Sequence, residues 1–380
     1  MKRRLVLPLA LGLAVFAVSA LAMPNSFVFQ QEIGLFLWTG DYFRDVFGGS
    51  FPICTLLGDF LVQFYRFPLV GPVCTALIVT GIFLLARGMI AKFSRHSQAI
   101  AMALSIAAWF VIARSSTPIV GVGILLALAV LRLASIPLKP RTRKPEAGIG
   151  LPITVLVAGV ILILADPGAR KIERWSTIET AARRADWDTI LKVATPEQAE
   201  KDRDMVPFAL LAAGSKGRLQ QAMRDYRVQD PGEMDFCGVS SRIGYYFESL
   251  LYEQLGCTNE AIHNIYQCGC HMHRGTSFMV LFQLARYNIE AGNYTLVRKY
   301  CNILRRSPAN RAMANRILKM YEGRSDVPVD GGPADSTPVI TNNPIYNIVT
   351  LEQMGIDSPI TKDRYIAYNQ LLQLYQTTHK

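Results

Sequence analysis

The densest group of chemically capable side chains is Cys268-Gly269-Cys270-His271-Met272-His273. Two thiols and two imidazoles are the donor set of a Cys₂His₂ zinc site, but paired ligands ordinarily leave two or more residues between them. Adjacent Cys270 and His271 chelate poorly, and haem attachment needs C-x-x-C-H, one residue more than stands here. No metal or cofactor is therefore expected. A structural use remains: Cys237, Cys257, Cys268, Cys270 and Cys301 all follow Pro167, and an oxidising compartment permits disulfides. Cys257 and Cys268 are eleven residues apart, about 16 Å along a helix, whereas a disulfide spans only about 4.4–6.8 Å between Cα atoms. Cys237 with Cys268 or Cys270 is the candidate bridge, closing a loop of about 30 residues and contributing ~3 kcal/mol. The alternative is five reduced thiols, buried as small apolar residues.

Four carboxylates, Glu32, Asp41, Asp45 and Asp59, are the second candidate group. Membrane glycosyltransferases that use lipid-linked sugars often place a catalytic Asp in the first external loop, and Asp41 is the residue that analogy selects. The simpler role of these carboxylates is to hold apolar helices at the outer face of a membrane. No nucleophile elbow, phosphate loop or HExxH is present.

The stretch that carries them, Phe27–Gly71, alternates aromatic and aliphatic residues with charges. It is too charged for a lipid-facing span and too apolar for a free loop, so it is expected to lie at the membrane surface or fold back among the spans. Apolar runs flank it at Leu5–Met23, Val70–Ala86, Gln98–Ala113, Ile119–Ile136 and Ile149–Ala165, near the ~17–25 residues a span requires. Residues 1–168 thus read as a membrane domain of five spans. Ala20-Leu21-Ala22 also resembles a signal-peptidase site, which would leave four. Basic residues cluster at Lys2–Arg4, at Arg87, Lys92 and Arg95, and at Lys139–Lys144. Five spans put all three groups on one side, so the amino terminus is expected in the cytoplasm and everything after Ala165 outside. Arg132, one turn from the end of the fourth run, is expected to snorkel to the headgroups. The net charge of +11 is concentrated in this half, with 14 Lys/Arg against 6 Asp/Glu up to residue 168 and 26 against 23 after it. That distribution argues against a nucleic-acid-binding face on the second half.

From Ile172 the apolar residues recur at helical spacing, and Trp187, Arg218, Asn259 and Tyr294 mark equivalent turns. Their spacing brackets the 34-residue tetratricopeptide period, so residues 169–322 are expected to form TPR-like helical hairpins. Residues 323–361 read as a Pro/Gly-rich linker and 362–380 as a terminal helix. The fold class is all-α.

FQQEIGLFLWTGDYF and FGGSFPICTLLGDFLVQFYRFPLVG, together with QLARYNIEAGNYTLVRKYCNIL, resemble an uncharacterised family of Bacteroidetes multi-pass inner-membrane proteins of unknown function. The matching positions are Phe29–Glu32, Thr39–Phe43, Gly48-Gly49, Phe60–Phe64, Pro68 and Gly71. The resemblance implies architecture and cellular setting and assigns no reaction. The expected function is a bilayer-embedded protein that presents a periplasmic helical-repeat domain to a protein partner, in envelope assembly or transport. A lipid-linked-sugar enzyme using Asp41 is the alternative.

Overall fold

The computed structural model describes residues 2–137, 148–228, 233, 236, 241–272 and 274–327, and among them every regular element is a helix. The chain divides into two compact units. One is built on Met1–Ser176 together with Ser307–Ala309; the other is built on Thr177–Arg306 and continues from Asn310.

The first unit contains α1 (Lys2–Ala22), α2 (Pro24–Ile33), α3 (Gly40–Gly48), α4 (Pro52–Val62), α5 (Val70–Ile90), α6 (Ser97–Ala113), α7 (Ile119–Ala134) and α8 (Gly150–Ala165). Proline opens α2 and α4 at the first helical position, where its missing N–H is harmless. Thr39 caps α3 by accepting from the Tyr42 amide at 3.3 Å. The contacts made at glycines give the helix directions. Gly12 of α1 meets Thr80 of α5, so these two run antiparallel, with Ser19 near Thr75 further on. Gly121 meets Ile78, Leu125 meets Gly81 and Arg132 meets Gly88, so α7 runs parallel to α5. Gly159 of α8 meets Ile106 of α6, and Gly168 just past α8 meets Arg114 just past α6, so these two are also parallel. The five helices therefore alternate in direction along the chain, around a core that includes Leu11, Val79, Phe83, Met102, Trp109 and Ile163. Helix α4 folds back along the start of α7, with Gly58 against Ile119 and Cys54 near Gly123.

By length and composition, Leu5–Ala22 and Val70–Ile90 are long and apolar enough to cross a membrane. A third span is added if α8 and α9 (Pro167–Arg183), bent by 50° at their junction, are taken as one. The remaining runs form shorter apolar helices; at 16–17 residues, α6, α7 and α8 reach about 24–26 Å against a hydrocarbon core of ~30 Å. The expected count of five is thus not met by length alone.

The second unit begins in the last turns of α9 and continues through α10 (Trp187–Val193), α11 (Pro196–Lys201), α12 (Val206–Ser215) and α13 (Leu219–Asp225). Then come α14 (Arg242–Gln254), α15 (Thr258–Cys270), α16 (Phe278–Glu290), α17 (Tyr294–Leu304) and α18 (Arg311–Met320). One helix ending recurs, and at four places a new helix follows it at once. Ala185, Gly217, Gly256 and Gly292 adopt left-handed φ values of 52°, 70°, 75° and 74°. The amide after each bonds back five residues, to Ala181, Ala213, Tyr252 and Asn288, at 2.8–2.9 Å. The amide of the left-handed residue itself bonds back three, to Ala182, Gly214, Glu253 and Ile289. Both bonds define a Schellman ending, and a new helix starts at once, at Trp187, Leu219, Thr258 and Tyr294. The turns that the sequence marked at Trp187, Arg218, Asn259 and Tyr294 thus share one backbone geometry, although Arg218 stands one residue early and Asn259 one residue late relative to the other two. The units are unequal, however: α10 and α13 have seven residues each, whereas α14–α17 have 11–13. Ser241 and Ser277 cap α14 and α16. Helix α12 is buried on every side and packs Phe208 against Phe236 and Phe247. The expected linker beyond residue 327 and the terminal helix lie outside the described residues.

The repeated turn makes opposite predictions at two of its positions. Ala185 adopts a conformation that L-residues avoid by roughly 1–2 kcal/mol, so Ala185→Gly is expected to raise the thermal unfolding midpoint. Gly256 has open space around its Cβ position, so Gly256→Ala should lower the midpoint through φ alone, by about 1 kcal/mol. Circular dichroism melts of the two variants test both signs.

Candidate functional site

Among the described residues, the sequence candidates do not assemble into one centre. Helix α15 is unbroken from Thr258 to Cys270, which puts Cys257 and Cys268 at opposite ends. Residues two apart on a helix point about 200° apart, and accordingly Cys268 is fully buried while Cys270 is exposed. His271 is turned back, with Nδ1 3.0 Å from the Gln267 carbonyl and its ring 5.1 Å from that of Tyr245. Cys237 and His273 lie outside the described residues. Among the described residues, no three His, Cys, Asp or Glu side chains gather where they could hold a metal ion. Burial pushes the Cys268 thiol up to about 12 and that of Cys301 to about 11. Near neutral pH both are thiols rather than the thiolates that bind metal or attack a disulfide.

The four carboxylates also separate. The Asp41 side chain is 92% exposed and pairs with Arg44, itself 83% exposed, at 3.3 Å. Asp45 is exposed. Asp59 accepts a 2.8 Å hydrogen bond from the Tyr42 hydroxyl, fastening α4 to α3 beside the ring cluster of Phe36, Phe43 and Phe60. Glu32 is buried, as are Gln30 and Gln31 on the same short helix.

The polar chemistry of the first unit gathers at the end where α1 finishes and α5 starts. A cavity of about 20 Å³ lies there, lined among others by Ser19, Gln30, Tyr65, Thr75, Trp109 and Thr117. That is room for a single water molecule. Ser19 and Tyr65 are 1% and 3% exposed. Thr75 donates back to the Gly71 carbonyl at 3.1 Å, and Gln30 Nε2 reaches the Ser115 carbonyl at 3.4 Å. Beside the cavity the carboxylate of Glu173, from α9, acts as the missing cap of α2. It accepts from the amides of Asn25 and Ser26 at 3.0 and 2.9 Å, and from their side chains at 3.1 and 2.6 Å. At the same end Arg114 closes on Asp166 in a two-toothed ion pair, its guanidinium 4.4 Å above the Phe110 ring. Asp166 then accepts from the Ala169 amide at 2.8 Å, capping α9. The arrangement fixes helix ends and can hold a water; it aligns no nucleophile with a base.

The second unit has a polar seam of its own. Arg242 makes a two-toothed pair with buried Glu179 at 2.6 and 2.7 Å, and the Tyr246 hydroxyl donates to the Glu179 carbonyl. Glu253 accepts from Arg286 and from the Tyr287 hydroxyl at 2.5 and 2.8 Å, tying α14 to α16. Sequence reasoning missed Ser19, Tyr65, Thr75, Glu173, Arg114–Asp166 and both pairs of the seam. A signal was present only for Ser19 and Thr75, hydroxyls set inside otherwise apolar runs.

A family model described as a family of unknown function (DUF6057) matches the chain over residues 1–169 and again over residues 160–330. No curated protein and no solved structure matches it.

Two measurements check this geometry. Glu173→Gln replaces an oxygen acceptor with an N–H that faces donors, so it should destabilise the fold by about 1–3 kcal/mol, read as a lower unfolding midpoint in detergent. Within α14–α17, alkylation of the native chain should modify Cys270 first. Cys257, Cys268 and Cys301 should react only on unfolding, and mass mapping of the labelled peptides distinguishes them.

Proposed function

We infer, for a chain that belongs to the DUF6057 family of unknown function, that it is an integral protein of a bacterial inner membrane presenting a helical-repeat domain to a protein partner. The observation that carries this reading is the alternation of α1, α5, α6, α7 and α8. It brings Arg87, Lys92, Arg95 and Arg132 to the end of the bundle where α1 starts, next to the Lys2–Arg4 segment. The positive-inside rule then makes that end cytoplasmic. All five helices cross in this reading, the short ones with thinning of the bilayer and snorkelling at their ends. The chain leaves the membrane after Ala165 on the periplasmic side, the setting implied by the resemblance to Bacteroidetes membrane proteins.

Four Schellman turns, each followed at once by a second helix, support a TPR-like repeat, whose stacked hairpins offer an extended surface for another protein. Envelope assembly or transport is the process that suits a membrane-anchored repeat of this kind. The glycosyltransferase alternative requires Asp41 at the mouth of a polar cavity. Its side chain instead stands open beside Arg44, so the scaffold reading is preferred.

Reporter fusions after Arg95 and Lys144 are expected to report cytoplasm, and a fusion after Asp363 periplasm. A cytoplasmic signal from the last fusion overturns the topology. Crosslinking in native membranes followed by affinity capture should recover the same protein with the full chain but not with residues 1–168 alone.

A further inference from the structure

Three helix ends meet at the basic end of the first unit: the last turn of α5, the first of α6 and the last of α7. Some of the cations there have structural work. The Lys92 ammonium donates to the Ser135 and Ile136 carbonyls, closing the end of α7. Arg132 lies flat across α5, where a Cβ on Gly88 would stand 3.0 Å from its Nε and 3.3 Å from its Cζ. Its Nη1 reaches Ser135 Oγ at 3.4 Å. Arg95 is exposed and donates to His96 Nε2 at 3.0 Å. His96 stands at the N-cap of α6 without a side-chain cap bond, so the positive end of that helix faces the same region.

The sequence supplies little negative charge to match, since no Asp or Glu occurs between Asp59 and Glu146. The rim is apolar: Phe93, Leu133 and Ile136 are 57%, 66% and 63% exposed. Cations backed by a helix N-terminus and bordered by exposed hydrocarbon suit a ligand with an anionic head and acyl chains.

We propose that the α5–α6–α7 end, through Arg95 and the Arg132 guanidinium seated on Gly88, is a binding site for the phosphate headgroup of an anionic phospholipid. The proposal rests on the membrane reading above and adds a headgroup preference to it. Gly88 lets the guanidinium lie close on α5, and a methyl group there would shift it by a few tenths of an ångström without changing any charge.

The test uses the full chain in detergent, with native mass spectrometry scoring retained phosphatidylglycerol against phosphatidylcholine at equal mole fraction. Wild type is expected to prefer phosphatidylglycerol. Arg95→Gln and Arg132→Gln should each reduce that preference about fivefold, the scale of one basic residue at an anionic surface. Gly88→Ala should weaken it with charge unchanged, Arg132→Lys should keep most of it, and Arg44→Gln, in the external insert, should leave it intact. Unfolding midpoints measured in parallel identify a misfolded variant, in which case Arg132→Lys and Arg95→Gln decide the matter. Equal retention of the two lipids, or a preference that survives the Arg95→Gln/Arg132→Gln pair, overturns the proposal. Competition by inorganic phosphate as effective as the lipid's own binding also overturns it, because the ligand is then a free anion. Release of the chain from membranes by alkaline carbonate defeats the membrane reading itself. An integral chain with no headgroup preference defeats only this inference.

Discussion

At Gly71 and Gly159 a neighbouring side chain already occupies the space that a methyl group would need. Phe27 lies 2.4 Å and Ile106 2.6 Å from the respective Cβ positions. In the membrane reading proposed above, apolar helices in lipid gain little from hiding hydrocarbon, so contact comes from close packing of backbone and side chain. Close packing in turn sets the register of the first unit. With Phe27 seated on Gly71, α2 is drawn against the start of α5, and Tyr65 stacks edge-on against Phe27 at 5.6 Å. That seating brings Ser26 and Gln30 to the cavity and presents the start of α2 to Glu173. The polar cluster is thus downstream of an apolar fit.

Polar groups inside such a unit are tolerable only when they are satisfied. Glu173 meets four donors, and Asp166 meets a guanidinium and a backbone amide. The second unit follows the same rule with Glu179–Arg242 and Glu253–Arg286. Partly buried ion pairs of this kind contribute modestly to stability, because the attraction is offset by lost hydration, but breaking one leaves a poorly hydrated charge without its partner. They therefore act against alternative packings, holding α14 to α9 and α14 to α16 in one register.

Much of this was legible in the sequence, and the reason differs by region. The five apolar runs became helices whose ends agree within a few residues, because apolar runs of this length are too long for ordinary strands and favour a helix. The repeat was legible at its turns, since Gly217, Gly256 and Gly292 are residues that a left-handed helix ending demands. Ala185 fills the same place without the same signature. The polar cluster was not legible: Asn25 and Glu173 are 148 residues apart, and nothing local marks either as the other's partner. The Cys-Gly-Cys-His-Met-His stretch misled in the opposite way, because residues two apart on a helix point about 200° apart, so Cys268 faces inward and Cys270 outward despite their closeness in sequence.

Helix α4 has a further consequence. It has 11 residues and lies along only the first turns of α7, at the end of the bundle that also carries α2 and α3. Nothing equivalent among the described residues thickens the basic end. In the membrane arrangement proposed above, the described helices would take more area in one leaflet than in the other, and a unit of that form would respond to the curvature of the bilayer around it.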